Sequence, residues 1–90
     1  MQEKGKLMQN SSLITVSDHN GFSIDVEIPT QEKLKDIKLK LIELLSMLDY
    51  EKFNKNMDYS FYHEETLIDE EDTLFDANVW DGSILTVVLT

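Results

Sequence analysis

The sequence predicts a two-layer α+β domain, in which one long helix covers one face of a sheet of four or five strands. Three observations predict this fold class. Residues 22–28 alternate between apolar and polar side chains, as a half-buried strand does. Residues 34–48 carry leucine and isoleucine at helical spacing. Residues 84–89 are nearly all apolar, which is typical of a central strand covered by its neighbours.

Composition narrows the classes of protein that the chain can be. Its 90 residues fit one domain, and 41% hydrophobic with 29% charged residues is ordinary globular usage. The 18 acidic and 8 basic residues give a net charge of −10, which repels phosphate backbones and anionic lipid surfaces. We therefore expect no nucleic-acid binding. Direct membrane insertion is not expected either, because no apolar run reaches the roughly 18 residues of a membrane span.

The absence of cysteine excludes disulfides, thiolate nucleophiles and cysteine-ligated metals. The first ten residues lack the apolar core of a signal peptide, so we expect a cytoplasmic protein. Residues 1–11 are polar and are predicted to form a flexible N-terminal extension, with a single folded domain spanning residues 12–90.

The first two strands are predicted to form a hairpin. Residues 13–17 are short and β-branched, as strands tend to be. Asn20 and Gly21 follow, and both tolerate the positive φ that tight hairpin turns need. The alternating strand over residues 22–28 comes next, and Pro29 ends it because proline cannot donate to a ladder.

The helix has Thr30 as its predicted N-cap and is expected to run for about five turns. Its apolar stripe is predicted to face the sheet. The stripe consists of Leu34, Ile37, Leu41, Leu44, Leu45 and Leu48. The other side carries the lysine patch, which consists of Lys33, Lys35, Lys38 and Lys40. A solvated helix face is the favoured interpretation of this patch, and docking of an acidic partner is the alternative.

Three further strands are predicted after the helix. A polar connection over residues 49–56 leads to an aromatic strand over residues 58–63 and a very short strand over residues 66–68. An acidic loop, residues 69–72, and two compact turns come next. The final strand, residues 84–89, is expected in the middle of the sheet, beside the first strand and parallel to it.

The last third of the chain resembles ubiquitin-like domains. Their pattern Thr-Leu-x-Asp-x-x-Ile before the final strand is matched by Thr73-Leu74-x-Asp76-x-Asn78-Val79. Their helix opening is matched by Pro29-Thr30-x-x-Lys33-Leu34. The resemblance covers residues 12–89 and implies a ubiquitin-like β-grasp fold, with a four- to five-stranded mixed sheet packed on one long helix. Such motifs specify a fold more than an activity.

The turn before the final strand makes the resemblance more specific, because it is similar to one family of ubiquitin-like proteins. Trp80-Asp81-Gly82-Ser83-Ile84-Leu85 is similar to the turn before the last strand in the YukD/EsaB family of bacterial type VII (WXG100/Esx) secretion. That resemblance implies a non-catalytic accessory or regulatory factor that docks without a covalent bond on a cytosolic part of the secretion machinery or its ATPase. The chain stops at Thr90 without a Gly-Gly tail, which argues against conjugation and sulfur carriage.

Two alternative functions stay open. One is a ubiquitin-like interaction domain of a larger protein. The other is a ubiquitin-like modifier or sulfur carrier whose Gly-Gly end has been removed. The gene sequence beyond Thr90 and the mass of the native protein separate these cases.

Nothing in the residue pattern predicts a catalytic, metal or cofactor site. His19 and His63 are the only histidines, and a hairpin turn and a strand end give them no ligand spacing. The acidic runs at 64–65 and 69–72 are expected to be solvated, and they lack the spacing of a calcium loop. No serine lies in a nucleophile elbow, and no glycine-rich phosphate loop is present. We therefore expect no enzyme activity, no metal and no cofactor.

The register of the last strand predicts which side chains leave the core. Counting from the Asp81-Gly82 turn, the residues expected to face the helix are Leu85, Val87 and Leu89. Those expected on the opposite side are Ile84, Thr86 and Val88. In the third strand the same logic buries Tyr59 and Phe61 and leaves Ser60 and Tyr62 on the opposite side.

These registers predict an apolar patch on the side of the sheet that lacks a helix. It consists of Tyr62, Ile84, Val88 and Leu13, with a rim of Asp25, Glu27 and Ser60. We expect this patch to bind a protein partner or to form a weak homodimer. Scattered surface side chains and a cover formed by residues 1–11 are the alternatives. Trp80 is expected to cap a small core rather than to anchor a partner.

Overall fold

A computed structural model describes residues 11–90 of the chain. Within that range the elements follow the predicted order. They are β1 (Ser11–Ser17), β2 (Ser23–Pro29), α1 (Leu34–Leu48), β3 (Tyr59–His63), β4 (Thr66–Leu67) and β5 (Ile84–Leu89). The predicted extension over residues 1–11 lies outside the described residues except for Ser11, with which β1 begins.

The strands of residues 11–90 form one five-stranded mixed sheet in the order β2-β1-β5-β3-β4. Strands β1 and β5 are parallel, and the other neighbours are antiparallel. The apolar strand β5 therefore lies at the centre of the sheet beside β1, as predicted. The helix α1 packs on one face, which we call the inner face, and the other is the outer face. The predicted α+β β-grasp architecture is confirmed.

The loop that joins β1 to β2 differs from the predicted two-residue turn. Ser17 pairs with Ser23, so the loop has five residues, and only Gly21 adopts a positive φ, of 93°. Oδ1 of Asp18 accepts hydrogen bonds from the backbone N–H groups of Asn20 and Phe22, at 2.7 and 3.0 Å. The carboxylate thus organises the loop, so Asn20 does not need the left-handed conformation.

The prediction that Thr30 caps the helix is wrong. The helix begins at Leu34, with Lys33 at the N-cap position and no side-chain capping bond. The carbonyls of Asp72 and Glu70 accept the first helical N–H groups, those of Leu34 and Lys35, at 2.9 and 3.0 Å. The acidic loop therefore satisfies the orphan donors that a side-chain cap would otherwise satisfy.

The buried stripe of α1 differs at three positions from the predicted one. The buried residues are Leu34, Ile37, Leu41, Ile42 and Leu45. Leu44 and Leu48 are exposed, because Leu44 lies at the margin of the stripe and Leu48 is the last residue of the helix. Ile42 takes the opposite margin and was not predicted. The helix has 15 residues, about four turns rather than five.

The inner faces of β3 and β5 confirm most of the predicted register. Tyr59, Phe61, Leu85 and Val87 are buried. Leu89 is not: it pairs with Tyr59 at the end of the sheet and is half exposed, so its predicted contact with the helix is wrong. Within residues 11–90 no helix has the length and apolarity that crossing a bilayer requires.

Candidate protein-binding face

The outer face of the sheet is where the structure places the predicted patch. Tyr62 pairs with Thr86 across the β3–β5 ladder, so Ile84 and Val88 are its diagonal neighbours on the same face. Thr15 pairs with Ile84 across the β1–β5 ladder, which makes Leu13 the diagonal neighbour of Ile84. The structure thus brings all four predicted residues to one face, where each is a diagonal neighbour of at least one other.

One member of this face, Leu67 in β4, was not predicted. Leu67 pairs directly with Tyr62, and opposed residues of an antiparallel ladder share a face. Its side chain is 57% exposed, the same fraction as that of Ile84. The signal was present in the sequence, because a two-residue turn between residues 63 and 66 sets this register. Leu13, Tyr62, Leu67, Ile84 and Val88 are called the apolar patch from here on.

Trp80 also joins this region, against the expectation that it caps a small core. Its side chain is 51% exposed. Its backbone N–H donates to Oγ of Ser83 at 3.1 Å, and its carbonyl accepts from the N–H of Ser83 at 2.9 Å. The turn has Gly82 at φ 87°, and Trp80 lines the same groove as Ile84.

Two concave regions mark the patch. Tyr62, Thr86 and Val88 line a hollow of about 310 Å³, together with Glu65 and His19. A wider groove of about 620 Å³ lies at the end of the sheet, between the β3–β4 turn and the Trp80 turn. Its lining includes Trp80, Ile84, Glu64, Glu65 and Asp81. Apolar surface and carboxylates are therefore adjacent in both regions.

The turn between β3 and β4 holds its acidic residues in an unusual conformation. Glu64 and Glu65 have φ values of 51° and 69°, in the left-handed region where asparagine and glycine are preferred. Two consecutive positive φ values in a two-residue loop define a turn that matches the twist of the strands. Both glutamates are exposed and project beside the apolar patch.

The lysine patch has a structural role that was not expected. Glu71 accepts from Nζ of Lys33 and of Lys35, at 3.3 and 3.0 Å. Lys38 bridges Asp58, at 3.0 Å, and Glu70. Three of the four lysines of the patch thus bind acidic residues that follow the helix in sequence, and Lys33 and Lys35 do so while about half exposed, as on a solvated face.

The lysines also lower the pKa of two of these carboxylates. The hydrogen bonds from Lys35 and Lys33, with their positive charges, lower the pKa of Glu71. The hydrogen bond and charge of Lys38 likewise lower the pKa of Asp58. The carboxylates of the acidic loop were expected to be solvated, and two of its four, those of Glu70 and Glu71, are more than half exposed and also connect the loop to the helix.

The acidic residues of the outer face differ from Glu70 and Glu71 in their hydrogen-bond partners. We call Asp25, Glu27, Glu64, Glu65 and Asp81 the acidic rim. None of these five takes part in the lysine ion pairs formed within residues 11–90. Asp25 accepts a neutral hydrogen bond from Thr15 Oγ1 at 2.7 Å, and Asp81 accepts one from the N–H of Leu13 at 2.7 Å. Among the residues that the structure describes, the carboxylates around the apolar patch therefore have no lysine partner.

The histidines provide no metal centre in the described part of the chain. His19 and His63 do line the same 620 Å³ groove. Nδ1 of His63, however, lies 3.1 Å from the carbonyl oxygen of Ala77. No group of three or more histidine and carboxylate side chains among residues 11–90 is arranged to hold a metal ion.

A second apolar groove lies at the β2 edge of the sheet, where Glu27 of the acidic rim also lines it. It runs between the edge strand β2 and α1, with a volume of about 220 Å³. Its lining includes Val26, Ile28, Ile37, Leu41 and Leu44. It is smaller than either concavity of the outer face.

Comparison with known proteins identifies the fold. No protein-family model matches the chain, and no curated protein matches it in sequence. An N-terminal ubiquitin-like domain solved in solution superposes with a TM-score of 0.67 at 13% identity, covering 92% of this chain and 78% of that one. The ubiquitin-like domain of an Arabidopsis thaliana protein gives 0.64 at 15% identity, covering 89% and 78%.

A third structure, described as a molecular mimic of SUMO that promotes DNA repair, has a TM-score of 0.67 at 17% identity and covers 91% of this chain and 95% of that one. Identities this low establish shared architecture only. With the strand order and the single covering helix of the described residues, they define the class: the chain has a ubiquitin-like β-grasp fold.

Proposed function

We propose that this protein is a non-catalytic interaction module that binds a protein partner through the apolar patch. The observation that carries the proposal is the exposure of Leu13, Leu67 and Ile84, each at least half exposed, on the outer face. Contiguous apolar surface of this kind marks binding sites more often than scattered side chains do. The two concavities beside it supply pockets for partner side chains.

The proposal extends to the biological setting. The turn Trp80-Asp81-Gly82 before the last strand supports a role like that of the YukD/EsaB proteins, as a cytoplasmic accessory or regulatory factor of a bacterial type VII secretion system. In that role the partner is a cytosolic part of the secretion machinery or its ATPase. Binding is non-covalent and needs no cofactor.

Two other functions are compatible with the same fold. A ubiquitin-like interaction domain of a larger protein would use the same face, since its docking surface depends on the sheet and not on chain length. A ubiquitin-like modifier or sulfur carrier would require a Gly-Gly segment beyond Thr90. The genomic sequence downstream, together with the mass of the protein purified from its host, discriminates these from the secretion role.

The test replaces two side chains of the patch with charge. In I84K/V88K, both lysines point away from the core, so the fold should persist while partner binding is lost. The matched control is L39K/M47K, because Leu39 and Met47 are apolar helix residues exposed at 60% and 81%. Each variant, tagged and expressed in the native host, is used to recover partners for mass spectrometry.

We expect the wild-type chain and L39K/M47K to recover the same protein set, including secretion components, and I84K/V88K to lose it. Circular dichroism must show that I84K/V88K is folded. Recovery of an unchanged set by folded I84K/V88K would refute the docking face. A wild-type set without secretion components would refute the secretion role alone.

A further inference from the structure

We propose that the partner segment bound by the apolar patch is cationic, carrying arginine or lysine side chains between apolar ones. This inference rests on the proposed function and specifies the chemistry of its partner. It follows from where the structure has placed its charges.

The first step is the pairing of the lysines. The chain has eight, and Lys33, Lys35, Lys38 and Lys52 all form ion pairs with Asp18, Asp58, Glu70 or Glu71. None of those four acids belongs to the acidic rim. Within residues 11–90 the lysine ion pairs thus lie at the helix and its neighbouring loops, and they leave the carboxylates of the acidic rim without a lysine partner in that range.

The second step is the position of the remaining charge. Glu27 lies directly opposite Leu13 in the β1–β2 ladder. At the other end of the patch, Glu65 lines the hollow that contains Tyr62 and Val88. A segment laid along the outer face therefore passes carboxylates on both sides of the apolar patch, and oppositely charged side chains on that segment would be complementary.

The third step is the groove beside Trp80, which suits the long side chain of arginine or lysine. The indole is half exposed, and aromatic faces attract such cations. Glu64 and Glu65 supply carboxylates in the same groove, and Ile84 supplies apolar surface for the methylene stem. The groove thus provides an aromatic ring and carboxylates for the cationic group, and apolar surface for its methylene stem.

A second copy of this chain is a poor occupant of the same face. A two-fold dimer would place each acidic rim against its own copy, since an isologous interface joins identical patches. Like charges brought together in this way oppose association. A cationic partner avoids that repulsion, because the acidic rim attracts its positively charged side chains.

The experiment titrates the isotope-labelled full chain with two synthetic peptides of about twelve residues, long enough to span the face. In one, valine and leucine are interspersed with arginine. In the other, glutamate replaces each arginine. We expect the arginine peptide to shift the backbone resonances of Tyr62, Glu65 and Ile84 and the indole resonance of Trp80. Its affinity should exceed that of the glutamate peptide by about tenfold or more, and it should weaken as salt is raised.

Two matched variants locate the effect. E64Q/E65Q should weaken binding of the arginine peptide by about three- to tenfold, as two exposed charge pairs allow. E43Q/E51Q makes the same change in net charge at exposed positions of the helix and the loop after it, and should leave the affinity unchanged.

The outcomes separate this inference from the proposed function. If both peptides bind equally and I84K/V88K abolishes both, the docking face stands and the cationic partner is refuted. If I84K/V88K leaves arginine-peptide binding intact, or if the shifts fall on the β2–α1 groove, both are refuted. Sedimentation that shows a dimer dissociated by I84K/V88K would replace the cationic partner with a second copy.

Discussion

The backbone N–H of Leu13 donates a hydrogen bond of 2.7 Å to Oδ1 of Asp81, across 68 positions of sequence. The N–H of Gly82 returns a bond to the carbonyl of Leu13 at 3.1 Å. This exchange fixes the Trp80 turn against β1, and with it the position of the groove at the end of the apolar patch. The first prediction tests this connection.

Asp81→Ala should lower the free energy of unfolding by about 1 kcal/mol, the usual net contribution of a partly exposed hydrogen bond. It should also broaden or shift the indole resonance of Trp80, because the turn loses one of its two hydrogen bonds to Leu13. Chemical denaturation and NMR measure the two effects. Asp76→Ala is the control, since the Asp76 side chain forms no hydrogen bond within residues 11–90, and an equal loss there would contradict the assignment.

Acid stability should depend on Asp18. Burial raises the pKa of its carboxyl, but the N–H groups of Asn20 and Phe22 and the charge of Lys52 outweigh burial, so the pKa is lowered. A carboxyl with a lowered folded-state pKa contributes stability above its unfolded pKa of about 3.9, and that stability is lost as pH falls through the folded pKa.

We therefore expect Asp18→Ala to cost about 1–2 kcal/mol at pH 7, and the difference from wild type to shrink below about pH 4. Asp18→Asn keeps an acceptor oxygen for the loop, so its loss at pH 7 should be smaller. Urea denaturation from pH 7 to pH 3 measures both. A difference between Asp18→Ala and wild type that stays constant over this range would contradict the linkage.

Glycine at position 65 of the β3–β4 turn should stabilise the fold and weaken the binding of the arginine peptide. Glu65→Gly removes a Cβ from a position with φ 69° and should raise the free energy of unfolding by about 0.5–1 kcal/mol. The same variant should bind the arginine peptide more weakly, because the hollow loses its carboxylate. Glu51→Gly, at an exposed residue without positive φ, should instead be neutral or destabilising. Denaturant midpoints above wild type for Glu51→Gly but not for Glu65→Gly would contradict the turn geometry.

The two ends of β5 should differ sharply in their sensitivity to truncation. Leu85 is fully buried, so Leu85→Ala should cost about 2–5 kcal/mol. Leu89 is 53% exposed, and Leu89→Ala should cost less than about 1 kcal/mol. Equal losses in thermal denaturation would mean that Leu89 reaches the helix after all.

The regular elements of the fold could be predicted because their signals are local. Residues 22–28 alternate with a period of two and residues 34–48 follow a helical period, and each period is set by backbone geometry alone. The outer positions of Ile84 and Val88 follow from the same alternation once the Asp81-Gly82 turn is located. The predicted members of the apolar patch therefore required no knowledge of distant contacts, although their role in binding stays a prediction.

The errors occur where a residue's environment comes from a distant segment. Thr30 has the chemistry of an N-cap, but the carbonyls of Glu70 and Asp72 satisfy the helix instead. Leu48 and Leu89 fit the apolar periods, but each is the last residue of its helix or strand and is about half exposed. The period of a sequence shows which side of a strand or helix is apolar, but it does not show how far the opposing surface extends.

By itself, the sequence determined which segments become strands and helix, which side of each is apolar, and the large excess of negative charge. Only the tertiary structure decided that Lys38 lies between Asp58 and Glu70, that Leu67 extends the apolar patch, and that the acidic rim lacks lysine partners within residues 11–90. The reason is physical: side-chain direction follows from local backbone geometry, whereas a salt bridge between residues 20 or more positions apart exists only after packing has brought the helix and the loop together.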